Sequence, residues 1–219
     1  LEFHRAETYL QAHGIESTVA VFGSARVRSP EDPLASESHR HEYEQARRFS
    51  YDLSRSAAHT PRCHRLVVAT GGGPGLMEAA NRGASEAGAP TIGFNIRLPH
   101  EQQPNPYITP GLAFSFRYFA LRKMHFIFRA RALVAFAGGF GTLDEVYEAL
   151  NLVLTRTIDP IPIVLVGSNY WSRMLDLDYL ADGGYIEARD KALVYQTDSG
   201  ADAAAYVLGR CGCGKDGGS

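Results

Sequence analysis

The chain has 219 residues, 45% of them hydrophobic, and a formal net charge of -2. That length accommodates one domain with a sizeable core. The near-neutral charge argues against a dedicated nucleic-acid binder, which needs a concentrated basic face. The longest apolar runs, such as Ala132–Ala137 and Ile161–Val166, are too short to cross a bilayer. Glu2, Arg5 and Glu7 interrupt the place where a signal peptide would carry its apolar segment, so a cytoplasmic protein is the expectation. Cys63 stands alone and Cys211-Gly-Cys213 lies in a glycine-rich tail. That spacing offers neither a disulfide framework nor a metal site.

Helical and strand patterns alternate along the chain. Residues 1–13 read as a modest amphipathic helix, an appendage within residues 1–15. Thr18–Phe22 is a short apolar strand ending at Gly23-Ser24, and Pro30 and Pro33 exclude regular helix from the segment after it. Residues 39–58 follow as an amphipathic helix through Tyr43, Ala46, Phe49 and Leu53. Arg65–Thr70 reads as a strand, Gly71–Gly75 as a turn, and Leu76–Ala87 as a helix closed by Gly88. Thr91–Asn95 is a strand, and four prolines make residues 97–111 an irregular loop. Phe116–Arg131 reads as a helix, Ala132–Phe136 as a strand, Gly138–Gly141 as a second turn and Thr142–Thr155 as a helix. A strand over Ile161–Val166, a helix over 169–181, a strand over Ala192–Tyr195 and a helix over Ala201–Leu208 complete the series. Such alternation predicts one α/β domain over 1–208, a doubly wound, Rossmann-like parallel sheet with helices on both faces. Residues 209–219 read as a disordered tail.

In such a sheet ligands bind at the carboxyl ends of the strands. Both glycine-rich turns fall there, each just before a helix whose first N–H groups lack partners. Neither matches the dinucleotide or triphosphate fingerprints. Either one alone reads equally well as a tight turn, but two in one domain favour a phosphate site. Arg122-Lys123 precedes the second turn, and Asp144-Glu145 follows it in the first turn of the next helix. As residues alone, these could be a solvated face and dipole capping. The aromatic run Phe114, Phe116, Tyr118, Phe119, Phe126 and Phe128 reads as core or interface packing. His100 and His125 read as structural or solvated histidines, and Trp171 as packing against the last strands.

The stretch Arg122-Lys123…Ala137-Gly-Gly-Phe-Gly-Thr-Leu-Asp-Glu145, preceded by Gly71-Gly-Gly-Pro-Gly-Leu-Met-Glu78, resembles the Lonely Guy family. Its members are cytokinin riboside 5′-monophosphate phosphoribohydrolases and related nucleotide nucleosidases, often mislabelled lysine decarboxylases. The likeness runs from about Val19 to Trp171, and Leu98–Tyr107 is similar to the longer bacterial branch. The resemblance implies Arg122 and Glu145 as catalytic residues. It implies Gly138, Gly139, Gly141 and Thr142 as the phosphate turn, and Gly72, Gly73 and Gly75 as the other glycine loop. Lys123 and Glu101 match substrate-contact positions, and Ser24 is a further contact after the first strand. A homodimer or higher homo-oligomer is also implied. Ala137 replaces the family's proline before the two glycines, which removes a φ restraint but no donor. Arg117 and Asn151 also depart from the family pattern.

The expected function is hydrolysis of a nucleoside 5′-monophosphate to free base and ribose 5-phosphate, with AMP or a cytokinin riboside monophosphate as substrate. No metal, organic cofactor, nucleic acid or membrane enters this expectation. Two alternatives stand beside it. One is a non-catalytic nucleotide sensor or carrier. The other is a pyridoxal phosphate decarboxylase, which needs a Schiff-base lysine that only Lys123, Lys191 or Lys215 could supply.

Overall fold

The structure, a computed structural model, describes residues 2–60, 66–97 and 103–212. Seven strands form one sheet: β1 (Ser17–Phe22), β2 (Leu66–Thr70), β3 (Thr91–Ile96), β4 (Ala113–Phe116), β5 (Ala130–Ala135), β6 (Ile163–Val166) and β7 (Val194–Thr197). Their order is β4-β3-β2-β1-β5-β6-β7, and every pairing is parallel. The helices are α1 (Glu2–Ala12), α2 (Glu37–Ala58), α3 (Leu76–Glu86), α4 (Phe119–Phe128), α5 (Phe140–Leu154), α6 (Ser168–Met174), α7 (Leu177–Asp182) and α8 (Gly200–Arg210).

The central strands are apolar on both sides because helices cover both faces. On β1, Val19 and Val21 face a core built with Tyr43, Phe49, Leu53 and the alanines of α3 and α8. Ala20 and Phe22 face the opposite core, which contains Leu10, Phe126, Val146 and Trp171. Strands β5 and β6 alternate in the same way, so a period of two operates beneath a continuous apolar run.

Several boundaries differ from the sequence expectations: α2 begins at Glu37, α5 at Phe140 and β6 at Ile163, and Ala130 and Arg131, expected in a helix, open β5. Residue 116 ends β4 instead of beginning a helix; on this edge strand Phe116 is buried while Ala113 and Ser115 are exposed. The helix expected over 169–181 is two helices, because Asp176 leaves helical geometry and its carboxylate accepts from the Tyr179 N–H. The late strand begins at Val194, after a 3-10 turn over Ala188–Leu193. Gly209 and Arg210 continue α8, and half-buried Cys211 packs against the core, so order extends into the expected tail. Cys63 and Cys213 lie outside the described residues.

A buried polar network ties the first glycine turn to the sheet. Thr70 donates to Asn81 Oδ1 at 2.7 Å and itself accepts from the Gly72 N–H at 2.9 Å. Asn81 donates to Thr91 Oγ1, and Asn105 donates both to Asn81 Oδ1 and to the Gly73 carbonyl. Each of these side chains is buried, so each bond satisfies a group that water cannot reach. Asn81→Ala strands the Thr70 hydroxyl and opens a small void. It should cost about 2–3 kcal/mol, read as a lower urea midpoint with an unchanged m-value.

Candidate active site

Strand order reverses between β1 and β5, where the chain leaves from opposite sides of the sheet and no crossover covers the crevice. The loops after both strands meet there: the Ser24 N–H donates to the Ala137 carbonyl at 2.9 Å, and the Leu76 N–H donates to the Ser24 carbonyl at 2.9 Å. Gly75 has φ +71, and a Cβ there would sit 2.3 Å from the Ser24 carbonyl oxygen, so only glycine lets the loops after β1 and β2 interlock. A cavity of about 810 Å3 opens over the crevice.

Ser24, Arg122, Gly138, Gly139, Gly141, Thr142 and Glu145 all line this cavity. Among the described residues, the other expected site residues do not. Gly72 and Gly73 serve the buried network, while Gly75 borders a smaller adjoining pocket. Lys123 Nζ is held by Asp144 at 2.7 Å and Glu148 at 2.9 Å. Glu101 and His100 lie outside the described residues. His125 is buried, stacked on Phe94, with Nδ1 3.1 Å from Glu7 Oε1. Trp171 is fully buried and donates to the Ala135 carbonyl at 3.2 Å.

The first glycine turn acts on the site from behind. A Cβ on Gly71 would lie 2.5 Å from Arg122 Nη2, so the missing side chain is the space that the guanidinium uses. Arg122 is further fixed by donating Nε–H to the Phe94 carbonyl at 2.6 Å and by lying over the Phe126 ring. Burial pulls its affinity for the proton down, but a guanidinium stays a cation.

Glu145, expected in the first turn of a helix starting at Thr142, sits in the second turn because α5 starts at Phe140; it is 4% exposed, with Oε1 3.8 Å from Arg122 Nη1. Its Oε2 is buried and makes no hydrogen bond. Desolvation therefore outweighs the pull of Arg122 and Lys123, and the carboxyl is pushed up to about 7. A carboxyl titrating near neutrality beside a fixed cation can exchange protons or meet a developing positive charge.

Sequence reasoning did not find several wall residues. Met77, Phe140, Leu143, Tyr170 and Met174 line the cavity, and Phe119, expected as core or interface, is half-exposed and lines it too. Among the described residues no group of three His, Cys, Asp or Glu could hold a metal, and no helix is long and apolar enough to cross a membrane.

A family model described as "possible lysine decarboxylase" matches residues 77–207, more than half of the chain. The chain belongs to this family. It is the family that the Lonely Guy resemblance indicates, and membership points to a nucleotide-related function. No curated protein matches the chain. Among solved structures it is similar to TM1055, a Northeast Structural Genomics Consortium target, at 24% identity and a TM-score of 0.61 over 88% of this chain and 99% of that one. It is also similar to the molybdenum cofactor binding protein of the phototrophic bacterium Rippkaea orientalis: 19% identity, TM-score 0.59, 89% and 96% covered. The molybdenum cofactor carrier protein of Chlamydomonas reinhardtii gives 22%, 0.57, 90% and 98%. At these identities the likeness establishes the fold, a Rossmann-like α/β sheet.

The raised Glu145 proton affinity sets a sign for stability. The folded state holds the proton more tightly than an unfolded carboxyl of 4.5, so this stabilisation is complete below about 4.5 and lost as pH rises through about 7. The loss is on the order of 3 kcal/mol. Glu145→Gln removes this titration, so its Tm should exceed the wild-type value by several degrees at pH 8 and by much less at pH 5.

Proposed function

We propose that the protein hydrolyses the N-glycosidic bond of a nucleoside 5′-monophosphate, AMP or a cytokinin riboside monophosphate, giving free base and ribose 5-phosphate. The observation that carries this reading is Arg122 and Glu145, 3.8 Å apart, in one cavity with the Gly138–Thr142 turn. The turn starts α5, so its N–H groups and the helix dipole favour a phosphate there. The phosphate anchors the ribose and holds C1′ near the pair. As the C1′–N bond breaks, positive charge develops on the ribose and the Glu145 carboxylate stabilises it. Water attacks C1′, its proton passes to Glu145, and the departing base takes up a proton. Arg122 orients the carboxylate or the ribose hydroxyls and offsets charge on the leaving base; its high proton affinity makes it an electrostatic group, not an acid.

The decarboxylase reading is weaker because it needs a free amine in the cavity. Lys123 Nζ is bound by two carboxylates, Lys191 pairs with Asp178 on the surface, and Lys215 lies outside the described residues. A second reading, a carrier or sensor that binds nucleotide without cleaving it, draws support from the likeness to the molybdenum cofactor proteins. A homodimer is part of the proposal. Exposed Met124 and Phe128 on α4, with Tyr147 and Leu154 on α5, offer an apolar surface for a second copy.

Incubation of the protein with a panel of nucleoside monophosphates, followed by chromatography, should release free base and ribose 5-phosphate. Arg122→Ala and Glu145→Gln should each lower kcat at least about 100-fold. Tight binding without release of base from any nucleotide would establish the carrier reading instead. Because the carboxylate is the active form, kcat/KM should rise with pH and level off above about 7, the value to which Glu145 is shifted.

A further inference from the structure

The second glycine turn lacks the restraint that a proline at position 137 would give, since Ala137 leaves φ free to vary. Glycines at 138 and 139 add further freedom, and a Cβ on Gly139 would meet nothing within 4 Å. Thr142 packs against the bare Cα of Gly138, but the turn's own N–H groups at Thr142 and Leu143 bond the Gly139 carbonyl and leave the Gly138 carbonyl to other donors. The plane of the Gly138–Gly139 peptide matters because in a planar trans peptide the C=O and the N–H point in opposite directions. Whatever holds the Gly138 carbonyl also aims the Gly139 N–H.

The carbonyl is held from outside the turn. The Tyr170 hydroxyl, on α6, donates to the Gly138 oxygen at 2.5 Å. Its neighbour Trp171 donates to the Ala135 oxygen, and Ser24 N–H to the Ala137 oxygen. The Gly139 carbonyl accepts from the Thr142 and Leu143 N–H groups. Four carbonyls around the turn thus point at protein donors. Helix α6 is itself braced at both ends: Asp198 accepts from the Ser168 N–H at 2.7 Å, and Tyr147 on α5 donates to the Met174 carbonyl at 2.8 Å. Tyr170 also packs edge-on against Trp171 with ring centroids 5.0 Å apart. Burial pushes its phenol upward, which keeps the hydroxyl protonated and donating at neutral pH.

We propose that Tyr170 is a positioning residue: its hydroxyl locks the Gly138–Gly139 peptide so that the turn presents its N–H groups to a phosphate monoester, replacing from α6 the rigidity that Ala137 does not supply. This rests on the reading of Gly138–Thr142 as the phosphate turn. The role concerns anion binding, so it separates from the bond-breaking step at Arg122 and Glu145.

Tyr170→Phe removes only the hydroxyl and keeps the ring packing. Titration calorimetry with ribose 5-phosphate should give a Kd about five- to tenfold weaker than wild type, the loss of one well-made hydrogen bond. The KM for AMP should rise by the same factor, with kcat within about twofold and an almost unchanged Tm. Tyr179→Phe, on exposed α7, serves as a control and should match wild type. The proposal is overturned if Tyr170→Phe binds ribose 5-phosphate as tightly as wild type, or if its Tm, KM and kcat all deteriorate together. A wild-type protein that binds ribose 5-phosphate but releases no base sinks the hydrolase reading alone, and the Kd comparison still decides the role of Tyr170. A wild type that binds no ribose 5-phosphate removes both.

Discussion

The reversal of strand order at β1 and β5 is the constraint from which the rest of the molecule follows. A crossover between parallel strands must pass over a face of the sheet, and it covers that face with a helix. Chain leaving β1 for β2 through α2 and chain leaving β5 for β6 through α5 run on opposite sides, so the carboxyl ends of β1 and β5 stay uncovered between them. Every group in the cavity wall owes its place to that gap. Ser24 arrives as the chain leaves β1, the glycine turn as it leaves β5, and Glu145 on the helix that the turn begins.

Within the gap, burial has opposite uses for the two charged residues. Arg122 is buried yet well provided for, with a carbonyl acceptor, an aromatic face and a cleared space over Gly71. Glu145 is buried with one oxygen bonded to nothing. A fixed cation beside an under-solvated carboxyl is a poor contribution to folding, and such sites persist where chemistry requires them. The stable parts of the protein lie around it: two apolar cores and the Thr70–Asn81–Thr91–Asn105 network, in which every polar group is used.

Much of this was legible in the sequence because the relevant signals are local. Unbroken runs such as Val19–Phe22 and Ile163–Val166 mark strands buried on both faces, and glycines at their ends mark the turns. The spacing of Arg122, Gly138–Thr142 and Glu145 also survives in one dimension, and all of these residues line one cavity. What was not legible depends on position in the fold. Strand β4 is an edge, so its pattern is a weak alternation of Phe114 and Phe116 that merges into the following helix. The first glycine turn looks like an anion cradle in sequence, but its Gly72 N–H already donates to the Thr70 hydroxyl and the bareness of Gly71 makes room for Arg122. Tyr170 stands 32 residues after Gly138 with no motif to mark it, and only the fold, which sets α6 against β6 and ties Trp171 to Ala135 of β5, joins them.

The first helix can now be valued differently from an appendage. Glu7 on α1 is the buried counter-charge for Arg129, whose Nε also donates to the Ile15 carbonyl, and it lies beside His125. His125 stands one turn along α4 from Arg122 and Arg129 caps the helix's end; the His125 ring stacks on Phe94, whose carbonyl holds the Arg122 guanidinium. Helix α1 therefore acts as a foundation for the cavity wall. To shorten the chain at this end is to leave an arginine uncompensated beneath the very helix that supplies the site with its cation.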